Sequence, residues 1–259
     1  MRKDAVMKTL LTSLLAIAAC CLLAGPVSAQ DIAYDDIGCG GDIGCGGGAC
    51  CCDAWLNPCC GITGMGEVVW LRYQDSYPDS NTNEFQTGSR YTLGYMGQGG
   101  RELRVRYFEA EIVGGTRPFW SFETFDIEYA GRFRLGCNWR GDLSFGVRDA
   151  SFHEGGALEY DDTFGPLIGV HLETDVLNNC LTLYGNARYS HQFGEEEGGE
   201  LGSFAITELQ IGVEADCCTP CGIAFVRTFL EVQEWAGVDD GSSEDGGLIG
   251  GGLAVGLTH

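Results

Sequence analysis

The chain has 259 residues, with 15 Lys and Arg against 37 Asp and Glu and a formal net charge of −22. Such an acidic chain does not attract nucleic acid or an anionic lipid surface, because phosphates and the protein repel each other. Its length favours a single domain after an export segment.

Residues 1–29 have the order of a cleavable signal peptide. A cationic start is followed by an apolar run over residues 10–23 and by the small-residue ending Gly25-Pro26-Val27-Ser28-Ala29, which is typical of a cleavage site. We therefore predict export. The alternative interpretation takes Ile17-Ala18-Ala19-Cys20 as a lipobox, which would make an acylated Cys20 the mature N-terminus.

The composition changes to Gly and Cys over residues 30–62, where no periodic pattern occurs. We interpret this stretch as an extended periplasmic segment, because so much Gly resists packing into a core. Residues 1–29 hold three of the 15 cations and one of the 37 acids, so the remainder carries 12 arginines, no lysine and a net charge of −24. No stretch after residue 29 has the roughly 18 consecutive apolar residues of a membrane helix.

Alternation of apolar and polar residues predicts strands along the rest of the chain. The clearest case places Phe125, Ile127 and Tyr129 on one face and Asp126 and Glu128 on the other. The predicted strands are 65–75, 89–97, 101–112, 123–135, 142–152, 164–174, 181–192, 204–215, 222–234 and 248–258.

The connectors between these strands alternate between long and short. The long ones are 76–88, 113–122, 153–163, 193–203 and 235–247, and tight links join the other strand pairs. This alternation is typical of a transmembrane antiparallel up-and-down β-barrel of the outer membrane, spanning residues 63–259. We predict ten strands, with eight as an alternative count, long loops outside the cell, and short turns and both termini in the periplasm. A soluble β-sandwich, which also alternates, is the other fold considered.

Cysteines occupy the Gly/Cys-rich segment and the predicted short turns. An oxidising compartment and an even number favour disulfides, within the chain or to other envelope proteins. The candidates are Cys39, Cys45, Cys50, Cys51, Cys52, Cys59, Cys60, Cys137, Cys180, Cys217, Cys218 and Cys221. A metal site is the alternative, with thiolates from the residue 50–52 triplet and from residues 217–221.

The polar face of each strand is predicted to point into the barrel. A wet channel lined by fixed charge is one interpretation, and Arg–carboxylate pairs that fill a narrow barrel are the other. Small residues at the inward positions of the last strand would leave local room. The predicted pore-lining residues are Arg72, Arg104, Arg106, Asp126, Glu128, Arg132, Arg134, Arg148, Glu173, Arg188, Glu208, Glu214, Arg227 and Glu231, with Arg90 on the same face.

Aromatic residues near the strand ends are predicted to form interfacial girdles, with ordinary packing as the alternative for about half of them. They are Trp70, Tyr73, Tyr91, Tyr95, Phe119, Trp120, Tyr129 and Trp235. Acidic runs in the long loops, such as Glu195-Glu196-Glu197, are expected to be solvated, with divalent-cation binding as the alternative.

Catalysis has little support in the sequence, and we expect no enzyme activity and no cofactor. His153 and His191 fall at predicted outer strand ends, so a rim protease is an alternative to two ordinary loop histidines. The acidic residues nearby in sequence are Glu154, Asp161, Asp162 and Glu195. No H-E-x-x-H motif and no G-x-S-x-G turn is present.

Four strand patterns carry a resemblance to a known family. They are residues 125–129 through Gly136-Cys137, residues 143–148, residues 165–169 and residues 183–187. Over about residues 120–195 the chain resembles the Legionella-type major outer membrane protein family, whose members are pore-forming barrels. The resemblance implies passive diffusion of ions or small hydrophilic solutes through the outer membrane. The alternative is a non-conducting structural protein tied to the envelope through its cysteine-rich periplasmic face.

Overall fold

The structure is a computed structural model of the chain. It describes residues 61–75, 84–97, 100–113, 119–135, 139–154, 157–176, 181–196, 201–219, 222–237 and 246–258. The predicted signal peptide, nearly all of the Gly/Cys-rich segment and most of the cysteines lie outside the described residues. No helix in the described part of the chain is long and apolar enough to cross a membrane.

Ten strands are present, as the periodicity predicts. They are β1 (Gly61–Asp75), β2 (Gln86–Met96), β3 (Arg101–Val113), β4 (Phe119–Leu135), β5 (Trp139–Glu154), β6 (Ala157–Val176), β7 (Leu181–Glu196), β8 (Leu201–Thr219), β9 (Gly222–Ala236) and β10 (Gly246–Thr258). The first strand begins two residues before the predicted barrel boundary.

The ten strands close into one barrel in which every strand pairs with its neighbours in sequence, and β1 pairs with β10. All pairs are antiparallel, from Thr63 opposite Thr258 at the closure to Thr219 opposite Gly222. Closure leaves no free sheet edge. An antiparallel sheet in lipid must be closed in this way, because lipid cannot form hydrogen bonds with an open edge. The closed single sheet rules out the soluble sandwich and confirms the predicted up-and-down barrel.

The two ends of the barrel carry different connectors. The loop end carries the links after β1, β3, β5, β7 and β9, and the turn end carries the other four links, the start of β1 and the end of β10. Strands extend into several predicted loops, so that the predicted loop 153–163 is reduced to residues 155–156. Irregular pairing between β5 and β6 around Phe152 accompanies this extension of the hairpin.

Side chains alternate between a charged interior and an apolar exterior. Leu230, Phe145 and Ile211 on the exterior are 58–69% exposed, whereas Asp126 and Arg148 in the interior are fully buried. A water-soluble protein would hide the apolar set, whereas a lipid-facing wall requires it. The molecule is therefore a transmembrane barrel of the outer-membrane type.

Candidate functional site: the barrel interior

Six aromatic side chains fill the interior near the loop end, and we call them the aromatic layer. Each is at most 6% exposed, and they come from five strands: Tyr73, Trp120, Phe122, Phe152, Phe204 and Trp235. They lie inside because they have the same parity as the inward polar residues of their strands. Phe122, for example, precedes Asp126 by four positions, and alternation puts both on one face.

The aromatic layer reaches across the full width of the lumen. The rings of Phe122 and Trp235 are 5.1 Å apart and meet edge to face. Their strands, β4 and β9, are separated by four strands in either direction around the ring, so they are diametrically opposite. Tyr73 stacks on Trp120 at 4.6 Å and Phe204 stacks on Trp235 at 5.8 Å. Ring contacts of a geometry that stabilises aromatic pairs thus span the lumen near its loop end.

Below the aromatic layer lies a central charge layer of four arginines and five carboxylates. Its members are at most 7% exposed: Glu67, Arg90, Arg106, Asp126, Glu128, Arg148, Arg188, Glu208 and Glu231. Because ten strands enclose a narrow interior, side chains of these lengths meet across it. The nearly balanced signs satisfy the requirement that buried charges be paired.

Ion pairs in the central charge layer also cross the lumen. Arg106 on β3 bonds Glu208 on the diametrically opposite strand β8 at 2.9 Å. Glu208 accepts a further bond from Arg148, whose Nε and Nη2 also donate to the two oxygens of Asp126 at 2.6 and 2.9 Å. Arg188 adds bonds of 2.8 Å to Asp126 and 2.5 Å to Glu128. Two carboxylates, Asp126 and Glu208, therefore gather the guanidinium groups of several strands at the centre.

A second branch of the charge layer connects it to the aromatic layer. Arg90 bonds Glu67 at 2.6 Å and Glu231 at 2.5 Å. Gln233 donates to Glu231 at 2.5 Å and accepts from the indole N–H of Trp235 at 3.3 Å. The guanidinium of Arg90 also lies 4.9 Å from the ring centre of Phe108. Arg90 is thus fixed by contact with an aromatic ring as well as by its ion pairs.

The interior side chains are more exposed toward the turn end, and we call this part of the lumen the vestibule. The side chains of Arg104, Arg140 and Arg227 are 20–24% exposed there, unlike those of the central charge layer. Arg104 pairs with Asp142 at 2.5 Å, Arg140 with Asp175 at 2.9 Å, and Arg227 with Glu214. The Arg140 and Arg227 pairs connect neighbouring strands and follow the wall, so the vestibule is lined by charge rather than filled by it.

Several buried polar atoms of the interior have no hydrogen-bond partner among the described residues. Both amide atoms of Gln192 are buried without one, as are Nε of Arg90, Nη1 of Arg106 and Oγ1 of Thr92. Burying such atoms without a hydrogen bond costs free energy, and proteins usually satisfy them with ordered water.

Most residues predicted to line a pore do lie in the interior. The central charge layer and the vestibule contain twelve of the fourteen, including Arg132 near the turn end. Arg134 shares their face but is exposed at the turn-end rim. Arg72 is a correction: it has the outward parity of Val68 and Trp70, and its guanidinium lies 5.6 Å from the ring centre of Phe85.

Sequence reasoning missed or misplaced part of the interior. Tyr73, Trp120 and Trp235 were assigned to girdles but lie inside, and only their parity within each strand signals this. Glu67 was missed because its neighbours in β1 are apolar. The room expected beside β10 is occupied, since a Cβ at Gly252 would lie 2.4 Å from the Phe229 ring.

The two histidines considered for a rim protease do not converge on the lumen. His153 follows the inward Phe152, and His191 follows the inward Ser190, so alternation points both histidines outward. They lie on β5 and β7, which β6 separates, and the His191 ring packs on Phe193 at 4.8 Å.

Of the candidate cysteines, Cys217 and Cys218 lie within a described strand. Their backbones pair with Ala224 and Ile223 at the turn end of β8 and β9. The described part of the chain holds no group of three or more His, Cys, Asp or Glu side chains that could hold a metal ion.

No known family and no curated protein matches the sequence. Solved structures of outer-membrane barrels are similar in shape. The outer membrane protease OmpT from Escherichia coli shares 10% identity over 77% of this chain and 97% of its own, with a TM-score of 0.44. The translocator domain of the autotransporter NalP from Neisseria meningitidis shares 12% over 80% and 92%, with a TM-score of 0.40. Neisserial surface protein A shares 10% over 75% and 96%, with a TM-score of 0.37. At such low identity no activity is transferred from these proteins.

Proposed function

We propose that this protein is a structural outer-membrane barrel whose lumen is closed at rest, rather than a general diffusion pore. The observation that carries the proposal is the pair of contacts across the full lumen, Phe122 with Trp235 and Arg106 with Glu208. A solute passing through would have to separate both layers.

The energetic cost of opening supports a closed resting state. Breaking one buried ion pair by removing a partner costs about 3–5 kcal/mol, because the other charge is left unpaired. Asp126 and Glu208 together hold four arginines, so a passage at the centre disturbs several pairs at once. The lumen is also closed at the loop end by apolar rings, which exclude water.

The structural role follows from what the closed barrel presents on its two sides. On the turn side, the backbones of Cys217 and Cys218 sit at the β8–β9 turn, and the Gly/Cys-rich segment precedes β1. We infer that thiols on this face join the barrel to a neighbouring envelope protein by disulfides. The acidic loop end then displays negative charge to the outside.

This structural role has a direct test in the envelope itself. Non-reducing gels of whole envelopes are expected to show multimers that collapse to the monomer on reduction. Replacing both Cys217 and Cys218 by Ser is expected to reduce the ladder. A protein that runs purely as a monomer before reduction would contradict the cross-linking role.

A second candidate is a narrow ion conductance of the porin-like kind that the family resemblance implies. The observation that favours it is a set of individual buried polar atoms of Gln192, Arg90, Arg106 and Thr92 that find no hydrogen-bond partner within the described ranges, together with the vestibule. Water at these atoms would form part of a path from the turn end toward the aromatic layer.

Conductance of the full mature protein in planar bilayers separates the two functions. The wild type is expected to be silent, whereas Phe122→Ala and Trp235→Ala combined with Arg106→Ala and Glu208→Ala are expected to produce discrete steps, because together they remove both contacts that cross the lumen. Phe145→Ala is the matched control, since this ring is 61% exposed on the lipid-facing side. Each sample is first shown to be folded by its heat-dependent shift on an SDS gel. Steps in the wild type that change with charge reversal at Arg106 would instead establish the conducting function.

A further inference from the structure

An apolar groove of about 450 Å³ runs along the outer surface of the barrel where β1, β10 and β9 meet. Its base is formed by three residues in adjacent strands. Gly251 of β10 pairs with Trp70 of β1 on one side and with Leu230 of β9 on the other. Gly251 faces outward and has no side chain, so the floor between the two larger side chains is backbone. A trough of this shape on a lipid-facing wall fits a linear hydrocarbon chain.

The positively charged side chain of Arg72 lies at the loop-end side of this groove. Arg72 lies two residues beyond Trp70 and three residues before the loop end of β1. It is therefore near the level at which lipid headgroups meet the barrel, above the apolar chain region. Its guanidinium lies against Phe85, which is 55% exposed and forms the upper wall of the groove.

Arg72 differs from the arginines of the interior in its partners. Every arginine of the central charge layer has a carboxylate within 4.0 Å, whereas Arg72 has none among the described residues. Its Nε is buried and has no hydrogen-bond partner in the described part of the chain. A buried guanidinium N–H without an acceptor is costly, and a phosphate oxygen would satisfy it with a charge-assisted bond.

We propose that this groove binds one phosphorylated lipid of the leaflet at the loop end. An acyl chain lies between Trp70 and Leu230, and the Arg72 guanidinium bonds the headgroup phosphate. Carboxylates farther than about 8–10 Å from Arg72 oppose this contact only weakly, because such charges are screened at physiological salt. Planar guanidinium suits bidentate binding of phosphate, which lysine cannot reproduce. The proposal is independent of whether the lumen conducts.

The phosphate contact is tested by binding lipid A to the folded full protein in neutral detergent, with bound lipid counted by native mass spectrometry. Lipid A from which the phosphates have been removed and inorganic phosphate alone are the comparison probes. We expect one lipid A to bind about tenfold more tightly than its phosphate-free form, as one charge-assisted contact allows. Arg72→Gln is expected to abolish this preference and Arg72→Lys to retain part of it. Arg134→Gln, at the exposed turn-end rim, is the control and is expected to bind like the wild type.

The acyl contact is tested by Leu230→Ala, which removes one wall of the groove. Both forms of lipid A are expected to bind several-fold more weakly, whereas Leu253→Ala, also exposed on the outer face but outside the groove, is expected to change nothing. Unchanged lipid A binding in Arg72→Gln would overturn the proposal, as would equal losses in Arg72→Gln and Arg134→Gln. Inorganic phosphate that binds as tightly as lipid A would also overturn it, by showing an anion site without a lipid.

Discussion

Arg148→Met tests whether the central charge layer is a dry, paired network. Arg148 is fully buried, bonds both oxygens of Asp126 and donates to Glu208. The substitution leaves three arginines for five carboxylates in this layer. Removing one partner of a buried network costs about 3–5 kcal/mol, which changes the folding equilibrium by a factor of about a hundred to several thousand.

The loss is measured by urea unfolding of the protein in lipid vesicles, followed by tryptophan fluorescence. Arg134→Met is the control and is expected to stay within about 0.5 kcal/mol, because Arg134 is exposed at the turn-end rim. Adding Glu208→Gln to Arg148→Met is expected to recover part of the loss, since it removes a carboxylate that the first change leaves with fewer partners. A loss below about 1 kcal/mol for Arg148→Met would refute the reasoning and would indicate a hydrated interior.

Three further predictions test the packing and the lipid-facing wall. Trp235→Ala is expected to cost about 3–5 kcal/mol in the same unfolding assay, because it leaves a cavity in the aromatic layer; a loss near zero would mean that the rings do not pack. Gly252→Val is expected to destabilise the barrel by about 1–3 kcal/mol or more, since even its Cβ would overlap the Phe229 ring. Leu209→Arg, halfway along β8 and 52% exposed, is expected to cost about 2–4 kcal/mol, against about 0–1 for Gln74→Arg near the loop end of β1. Equal costs for the two arginine substitutions would contradict the placement of this wall in lipid.

The predictability of the candidate site differed from strand to strand. In β4 the alternation of Phe125, Ile127 and Tyr129 with Asp126 and Glu128 was enough to place the acids inside. In β1 the pattern was broken by Val69 and Leu71, which are apolar yet face inward. The expectation that a polar residue points inward therefore fails for Arg72, which lies on the outer face of the barrel.

The sequence by itself predicted ten strands, with eight as the alternative, their antiparallel order, and the end of the barrel at which β1 begins and β10 ends. These features follow from a period of two and from connector positions, which are local properties of the chain. Only the tertiary structure decided which residues meet across the lumen. The contacts of Phe122 with Trp235 and of Arg106 with Glu208 join residues more than 100 positions apart, and they depend on closure, strand tilt and register together. No local pattern encodes those three quantities, so the sequence left both a lined channel and a filled interior open, and the contacts that cross the lumen are seen only in the closed barrel.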